Sequence, residues 1–183
     1  MMPEISLNIL DVAQNSVSAG ASLTEIIICI DRAADTLEVS ISDNGRGMTA
    51  EQAERVTDPF YTTRTTRKVG LGIPFFKMAA ELTGGSLSIE SEPGIGTKTK
   101  AVFGLTHIDR MPLGDMAGTM TALIGPNPDI DFVLRYSVDD NSFELDTREM
   151  RIILEGIPLY EPEVLGYIAG YINENIDSVG PRY

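Results

Sequence analysis

Asp11 and Asn15 stand four residues apart in the stretch Ile9-Leu10-Asp11-Val12-Ala13-Gln14-Asn15. On a helix, residues four apart point the same way, so a carboxylate and an amide oxygen lie side by side. Three glycine clusters follow: Asp43-Asn44-Gly45-Arg46-Gly47-Met48, Val69-Gly70-Leu71-Gly72-Ile73 and Gly94-Ile95-Gly96-Thr97. Gly70, Leu71 and Gly72 precede a helical pattern, so backbone N–H groups and a helix N-terminus meet there, a good site for an anion. No Gly-Lys-Ser/Thr follows, which excludes the P-loop signature. The spacing also fails the dinucleotide fingerprint. Taken singly, a polar helix stripe is a solvated face and a glycine turn is an ordinary hairpin. The meaning lies in the four together and in their order.

The elements that must position these residues follow from periodicity. Residues 4–19 read as a helix, with Ile5, Ile9, Val12 and Ser16 on an apolar stripe and Asn8, Asp11, Asn15 and Ser18 on a polar one. Leu23–Asp31 is rich in β-branched residues and reads as a strand buried on both faces. Thr36–Ser42 alternates apolar and polar residues and reads as its half-buried hairpin partner. Thr49 can cap a short helix through Val56, and Asp58–Val69 is a polar, locally basic loop. Leu71–Leu82 reads as a helix, and Ser86–Ser91 and Thr97–Leu105 as two strands around a turn. Helices on one face of a mostly antiparallel sheet would bury both layers. Further on, Thr119–Ile124 and Phe132–Val138 read as strands, Phe143–Leu145 as the return strand of a hairpin, and Thr147–Leu154 and Glu161–Ile176 as helices. No catalytic motif stands out in this last part.

The chain has 183 residues, of which 43% are hydrophobic, enough for a packed core. No apolar run approaches the ~18 residues of a membrane span, and Met1-Met2-Pro3-Glu4 does not open a secretory signal. The single cysteine, Cys29, has no internal disulfide partner and reads as a buried small hydrophobe. These features point to a soluble cytoplasmic protein. A net charge of −13 disfavours nucleic acid and anionic membranes as partners. The charge is concentrated after residue 105, where 14 acidic side chains face 5 basic ones and no Lys occurs. That half presents either a soluble acidic surface or a face for a basic protein partner. One Cys and one His argue against a zinc site, and His107 reads as structural.

The four clusters, over roughly residues 5–105, resemble the nucleotide site of the GHKL superfamily, the Bergerat-fold ATPases that include histidine kinases, type II topoisomerases, mismatch-repair ATPases and a heat-shock chaperone. The Asp58-Pro59-Phe60 box and the short stretch to Gly70 are similar to the histidine-kinase and anti-sigma-factor-kinase branches. The resemblance implies an α+β fold: a two-layer α/β sandwich at residues 1–108, with a small α+β appendage at 112–183. It implies ATP and Mg²⁺ as ligands. Asn15 would coordinate the metal, whose hard character suits oxygen ligands. Asp43 would accept a hydrogen bond from the adenine amino group, with Gly45 and Gly47 letting the backbone approach the base and Met48 beside them. Phe60 would anchor a lid, Arg64, Arg67 and Lys68 would supply its cations, and Gly70, Leu71 and Gly72 would meet the phosphates. Thr97 would hold a water or Asp43 near the base, although the Gly94–Gly96 turn is equally an ordinary hairpin. Asp11 stands where hydrolytic members usually carry a Glu that orients the attacking water; here it is one methylene shorter.

Three functions fit these expectations. The first is an ATPase or nucleotide switch in signal transduction, without its own phosphoacceptor domain. The second is a protein kinase acting in trans on a His or Ser of a partner. The third is a module that holds ATP without hydrolysing it and works through protein contacts, with the C-terminal region as the docking part.

Overall fold

The computed structural model describes residues 2–58 and 72–183. The chain opens with α1 (Ile5–Ser18), whose buried side chains Ile5, Ile9, Val12, Ala13 and Ser16 repeat at helical spacing. It stops at Gly20, which takes a positive φ of 73°. Strands β1 (Leu23–Asp31) and β2 (Thr36–Asp43) then form an antiparallel hairpin. Short α2 (Ala50–Arg55) starts in a reciprocal cap. The Thr49 side chain accepts from the Gln52 N–H, and the Gln52 side chain accepts from the Thr49 N–H. Helix α3 (Gly72–Glu81) leads to β3 (Ser86–Glu92) and β4 (Gly96–Gly104), again antiparallel.

The C-terminal part adds α4 (Met116–Ile124), β5 (Asp131–Val138), β6 (Asn141–Asp146), α5 (Thr147–Ile153) and α6 (Pro162–Val179). Residues 119–124, expected as a strand, belong to α4. Asp115 caps that helix by accepting from the Gly118 N–H at 2.8 Å. The buried residues Met116, Ala117, Met120, Leu123 and Ile124 follow a helical period, which the two β-branched threonines masked in a short window.

One six-stranded sheet carries everything, in the order β3-β4-β2-β1-β5-β6. The C-terminal residues are joined to the rest through this sheet, because β5 pairs in parallel with β1 from Leu23↔Asp131 to Ile30↔Val138. Helices α1, α3, α4 and α6 contribute to the same core as the strands. Ile26, Ile28 and Ile30 of β1, Leu37, Val39 and Ile41 of β2, and Phe132, Leu134 and Tyr136 of β5 all point into it. Each such side chain contributes about 1.5–3 kcal/mol of transfer free energy.

The opposite face of the sheet is open over most of its extent, with Val133 of β5 buried on it. There Lys100 pairs with Glu38 at 2.7 Å, and Arg135 reaches both Glu25 and Glu144. Two expectations are corrected here. Strand β1 is buried on one face only, its burial alternating along the strand. Cys29 falls on the open side and is exposed. The apolar run Ile26-Ile27-Ile28 suggested two covered faces, but helices cover just one.

Candidate functional site

The last residue of β2 is Asp43, whose carboxylate is held by two hydrogen bonds. Ser16 Oγ, buried on α1, donates to Asp43 Oδ2 at 2.7 Å. The Gly45 N–H donates to Asp43 Oδ1 at 2.8 Å. A carboxylate offers about four acceptor positions, so each oxygen keeps capacity for a further donor. Register places Thr24 of β1 opposite Asp43 on one side and Thr97 of β4 on the other, with Ser91 of β3 beyond. Directly opposed residues share a face, so Thr24, Asp43, Thr97 and Ser91 form one polar row on the helix side of the sheet.

The row is partly satisfied and partly open. Ser91 and Thr97 hydroxyls lie 2.8 Å apart, and Ser91 Oγ accepts from the Met48 N–H at 2.8 Å. Thr24 Oγ1 is buried and has no hydrogen-bond partner among the described residues. A buried hydroxyl without a partner costs about 1–3 kcal/mol, and a polar ligand or water would relieve it. A groove of about 530 Å³ between α2 and β3, lined by Ala53, Thr57, Ile89 and Ser91, shares Ser91 with the row.

Two glycines shape the loop after Asp43. Gly47 has φ +66°, and a Cβ there would lie 1.9 Å from the Glu92 carbonyl oxygen. Gly96 has φ +140°, and a Cβ there would lie 1.9 Å from the Asp43 carbonyl oxygen. The Gly94 N–H donates to the Arg46 carbonyl at 2.8 Å, and the Arg46 N–H to the Ala19 carbonyl at 3.0 Å. The 43–48 loop is thus clamped between the end of α1 and the β3–β4 turn. Sequence reasoning assigned Gly47 to close approach of a ligand and left Gly96 in a turn that is equally an ordinary hairpin. The atoms they make room for here are backbone atoms of the protein itself. Gly45 is also closely packed: a Cβ there would stand 2.9 Å from both Ala19 Cβ and Asp43 Oδ1.

The second group of residues gathers further up α1. Asp11 and Asn15 are both half-buried, one turn apart. Gly72, the first residue of α3, lies against Asp11. A Cβ at Gly72 would stand 3.2 Å from Asp11 Cβ and 3.4 Å from Asp11 Oδ2. The tertiary fold therefore brings the start of a ten-residue helix, with its unpaired N–H groups, to the carboxylate. Among the described residues no cluster of three His, Cys, Asp or Glu side chains could hold a metal. A cation here would take only one or two protein oxygens and complete its shell elsewhere, which is the habit of Mg²⁺ with phosphates. Phe60, Arg64, Arg67, Lys68, Gly70 and Leu71 lie outside the described residues. His107 sits on the loop after β4, half exposed, with Nδ1 accepting from the Asp109 N–H at 3.2 Å.

The family model described as "Histidine kinase-, DNA gyrase B-, and HSP90-like ATPase" matches residues 4–107, more than half of the chain. The chain belongs to this family. Within the family, sporulation kinase E of Bacillus subtilis (strain 168) is 33% identical over 96 residues, which are 52% of this chain and 13% of that one. Sensor histidine kinase ZraS of Klebsiella oxytoca is 33% identical over 89 residues, 48% of this chain and 19% of that one. This chain therefore spans under a quarter of the length of these curated relatives. Among solved structures, the N-terminal domain of a DNA repair protein superposes with a TM-score of 0.53 at 15% identity, covering 79% of this chain and 53% of that one. At that identity the likeness is one of fold. The family match ends at the loop after β4, and the β5–α6 part lies beyond it.

Sequence reasoning missed Ser16, Ser91 and Thr24. Ser16 stood on the apolar stripe of α1, where a serine looks like an interruption. Its partner lies 27 residues away and is found only by folding α1 onto the sheet. Replacing Ser16 with Ala removes one of two donors holding Asp43. A hydrogen bond to a charged group is worth about 1.5–3 kcal/mol, much of which the mutant recovers with water at this half-buried site. A loss of about threefold to tenfold in nucleotide affinity is expected by calorimetry.

Proposed function

We propose that this protein binds Mg·ATP in the cleft between α1, the end of β2 and the start of α3. The observation that carries this reading is Asp43, whose two oxygens are aimed by Ser16 and the Gly45 N–H while retaining acceptor capacity. In this reading the adenine amino group donates to Asp43, which selects adenine over guanine because guanine would present an acceptor to the carboxylate. Thr97 and the unpartnered Thr24 hydroxyl flank that contact. Asn15 supplies an oxygen to the magnesium ion, which neutralises phosphate charge when bound. The N–H groups at the start of α3 face the phosphates, and Asp11 holds a water beside them. By family resemblance, Phe60, Arg64, Lys68, Gly70 and Leu71 complete the site, with Gly45, Gly47 and Met48 forming its floor.

The reaction proposed is hydrolysis of ATP, coupled to a signalling role in the cytoplasm. None of the described helices is long and apolar enough to cross a membrane, which is compatible with that location. Titration with Mg·ATP and with a non-hydrolysable analogue tests the binding reading. Submicromolar to millimolar binding that requires Mg²⁺ supports it, and no binding by the wild type removes it. Asp11→Asn is expected to keep that binding and to lose turnover by about 100-fold, the scale on which a positioned general base contributes. Unchanged turnover would remove Asp11 from the chemistry and favour transfer of phosphate to a His or Ser on a partner.

A partner surface is the second part of the reading. Ile152 and Ile153 at the end of α5 are each 78% exposed, and Ile157, Tyr160 and Tyr167 follow nearby in sequence with about half or more of their surface in water. The two arginines of this stretch are engaged: Arg148 pairs with Asp146 and Arg151 with Asp131. The charge left around the apolar residues is acidic, from Glu149, Glu155, Glu161 and Glu163. This supports docking of a protein with a basic rim and an apolar centre. Glu at positions 152 and 153 is expected to leave thermal stability within about 0.5 kcal/mol and to abolish retention of the cognate partner. Full retention would count against this face.

A further inference from the structure

Asn8 is a buried polar side chain of α1 to which the nucleotide reading gives no role. It is 1% exposed, and among the described residues neither its amide nitrogen nor its amide oxygen has a hydrogen-bond partner. Buried side-chain amides are nearly always paired, and leaving this one unpaired costs stability. A Leu of similar volume would fill the same space without that cost. The position on the helix is equally specific. Asn8 falls three residues before Asp11 and seven before Asn15, on one stripe. Side chains three apart on a helix are neighbours, with Cβ atoms roughly 5–6 Å apart. A helical side chain also leans back toward the N-terminus, so Asp11 leans over Asn8. The same carboxylate is covered by Gly72 at the start of α3.

We propose that Asn8 is the positioning residue for Asp11 in the nucleotide-bound state. Its amide N–H donates to one oxygen of the Asp11 carboxylate and leaves the other oxygen aimed at the attacking water. This rests on the Mg·ATP reading above. In the hydrolysis step the water oxygen forms a bond to the terminal phosphorus and the bond to the bridging oxygen breaks. The water proton passes to Asp11, and ADP leaves with phosphate. Asn8 takes no part in bond making. It fixes the rotamer of a carboxylate that is short for its task, so that Asp11 holds the water in one place. In the structure the amide is buried and unpartnered among the described residues, so it is available for that bond. A strained polar group of this kind persists when another state uses it.

Spectroscopic, binding, kinetic and thermal measurements on the full chain test the proposal. In side-chain amide NMR, the wild-type NH₂ pair that is missing from Asn8→Leu identifies Asn8. That pair should move downfield when Mg²⁺ and a non-hydrolysable ATP analogue are added, and should stay still in Asp11→Ala under the same conditions. In calorimetry and single-turnover assays, Asn8→Leu should bind the analogue within about threefold of wild type and hydrolyse ATP at least about tenfold more slowly. Its thermal midpoint should be equal or higher, because an unpaired amide has been removed. Asn8→Leu added to Asp11→Asn should cost nothing more, since one acts through the other.

An amide pair that does not move, a full rate in Asn8→Leu, or additive losses in the double variant would each overturn the assignment. Asn8→Ser, which keeps a donor, should recover part of the rate, and it carries the kinetic test should the Leu variant fail to fold. A wild type that binds no Mg·ATP sinks the nucleotide reading and this inference with it. A wild type that binds while the Asn8 signal stays still sinks this inference alone.

Discussion

Asp43→Asn is expected to raise the Kd for Mg·ATP by about 100-fold or more. The carboxylate receives two hydrogen bonds from the protein, from Ser16 Oγ and the Gly45 N–H. An Asn side chain can accept through one oxygen only, and its NH₂ must face one of those two donors. The Gly45 N–H cannot turn away, because the loop is pinned by Arg46 to Ala19 and by Gly94 to Arg46. The mutant loses a charge-assisted contact to the base, about 1.5–3 kcal/mol, and with its NH₂ turned to the adenine amino group the bound state alone leaves a donor unpaired, at a further 1–3 kcal/mol. At about 1.4 kcal/mol per decade, the lower ends of these ranges already approach 100-fold. Calorimetric titration of wild type and variant reads the effect directly. An affinity within threefold of wild type would show that the base is not read at Asp43. Ser16→Ala should fall between the two, which separates loss of aim from loss of charge.

Gly96→Ala should be the most disruptive single methyl in the site. Its φ of +140° is a conformation that side-chain-bearing residues rarely adopt, and the added carbon would lie 1.9 Å from the Asp43 carbonyl oxygen. Neither partner can yield cheaply, since both belong to paired strands, with Asp43 opposite Thr97 in the β2–β4 ladder. Backbone strain of this kind costs about 1–3 kcal/mol, and displacing the ladder adds to it. For a chain of this length a loss of about 3 kcal/mol lowers the thermal midpoint by roughly 6–12 °C. The same shift moves Asp43, so nucleotide affinity should fall with stability. A Gly96→Ala protein that melts within 2 °C of wild type and binds Mg·ATP normally would mean that the turn has a second accessible shape.

Both expectations depend on contacts between segments far apart in the chain, and this marks the limit of what the sequence shows. Local periodicity was enough for α1, β1, β2, β3, β4 and β5, because the 3.6- and 2-residue repeats that sort side chains between core and water are written in neighbouring residues. The Thr49 cap and the glycines of the β2 and β4 loops are equally local signals, while the reciprocal bond from Gln52 came from the structure. Residues 119–124 escaped because two threonines and an isoleucine look like a strand in a six-residue window. The helix is decided by a surface it packs on, with Thr119 Oγ1 donating to the Ser6 carbonyl of α1.

The amino-acid sequence by itself determined the two-layer α/β class, its family, and the order of residues able to hold a nucleotide. Those features rest on residue types at short spacing, which local sterics and burial translate into helices, strands and turns. Only the tertiary structure decided that β5 joins β1 in parallel and that one sheet face stays open with Cys29 exposed. It also decided that Ser16 aims Asp43, that Gly72 covers Asp11, and that Asn8 is buried without a partner among the described residues. Each of these depends on which surfaces meet when the helices settle on the sheet. That choice is made by the summed burial of the whole core, and no short window of sequence contains it.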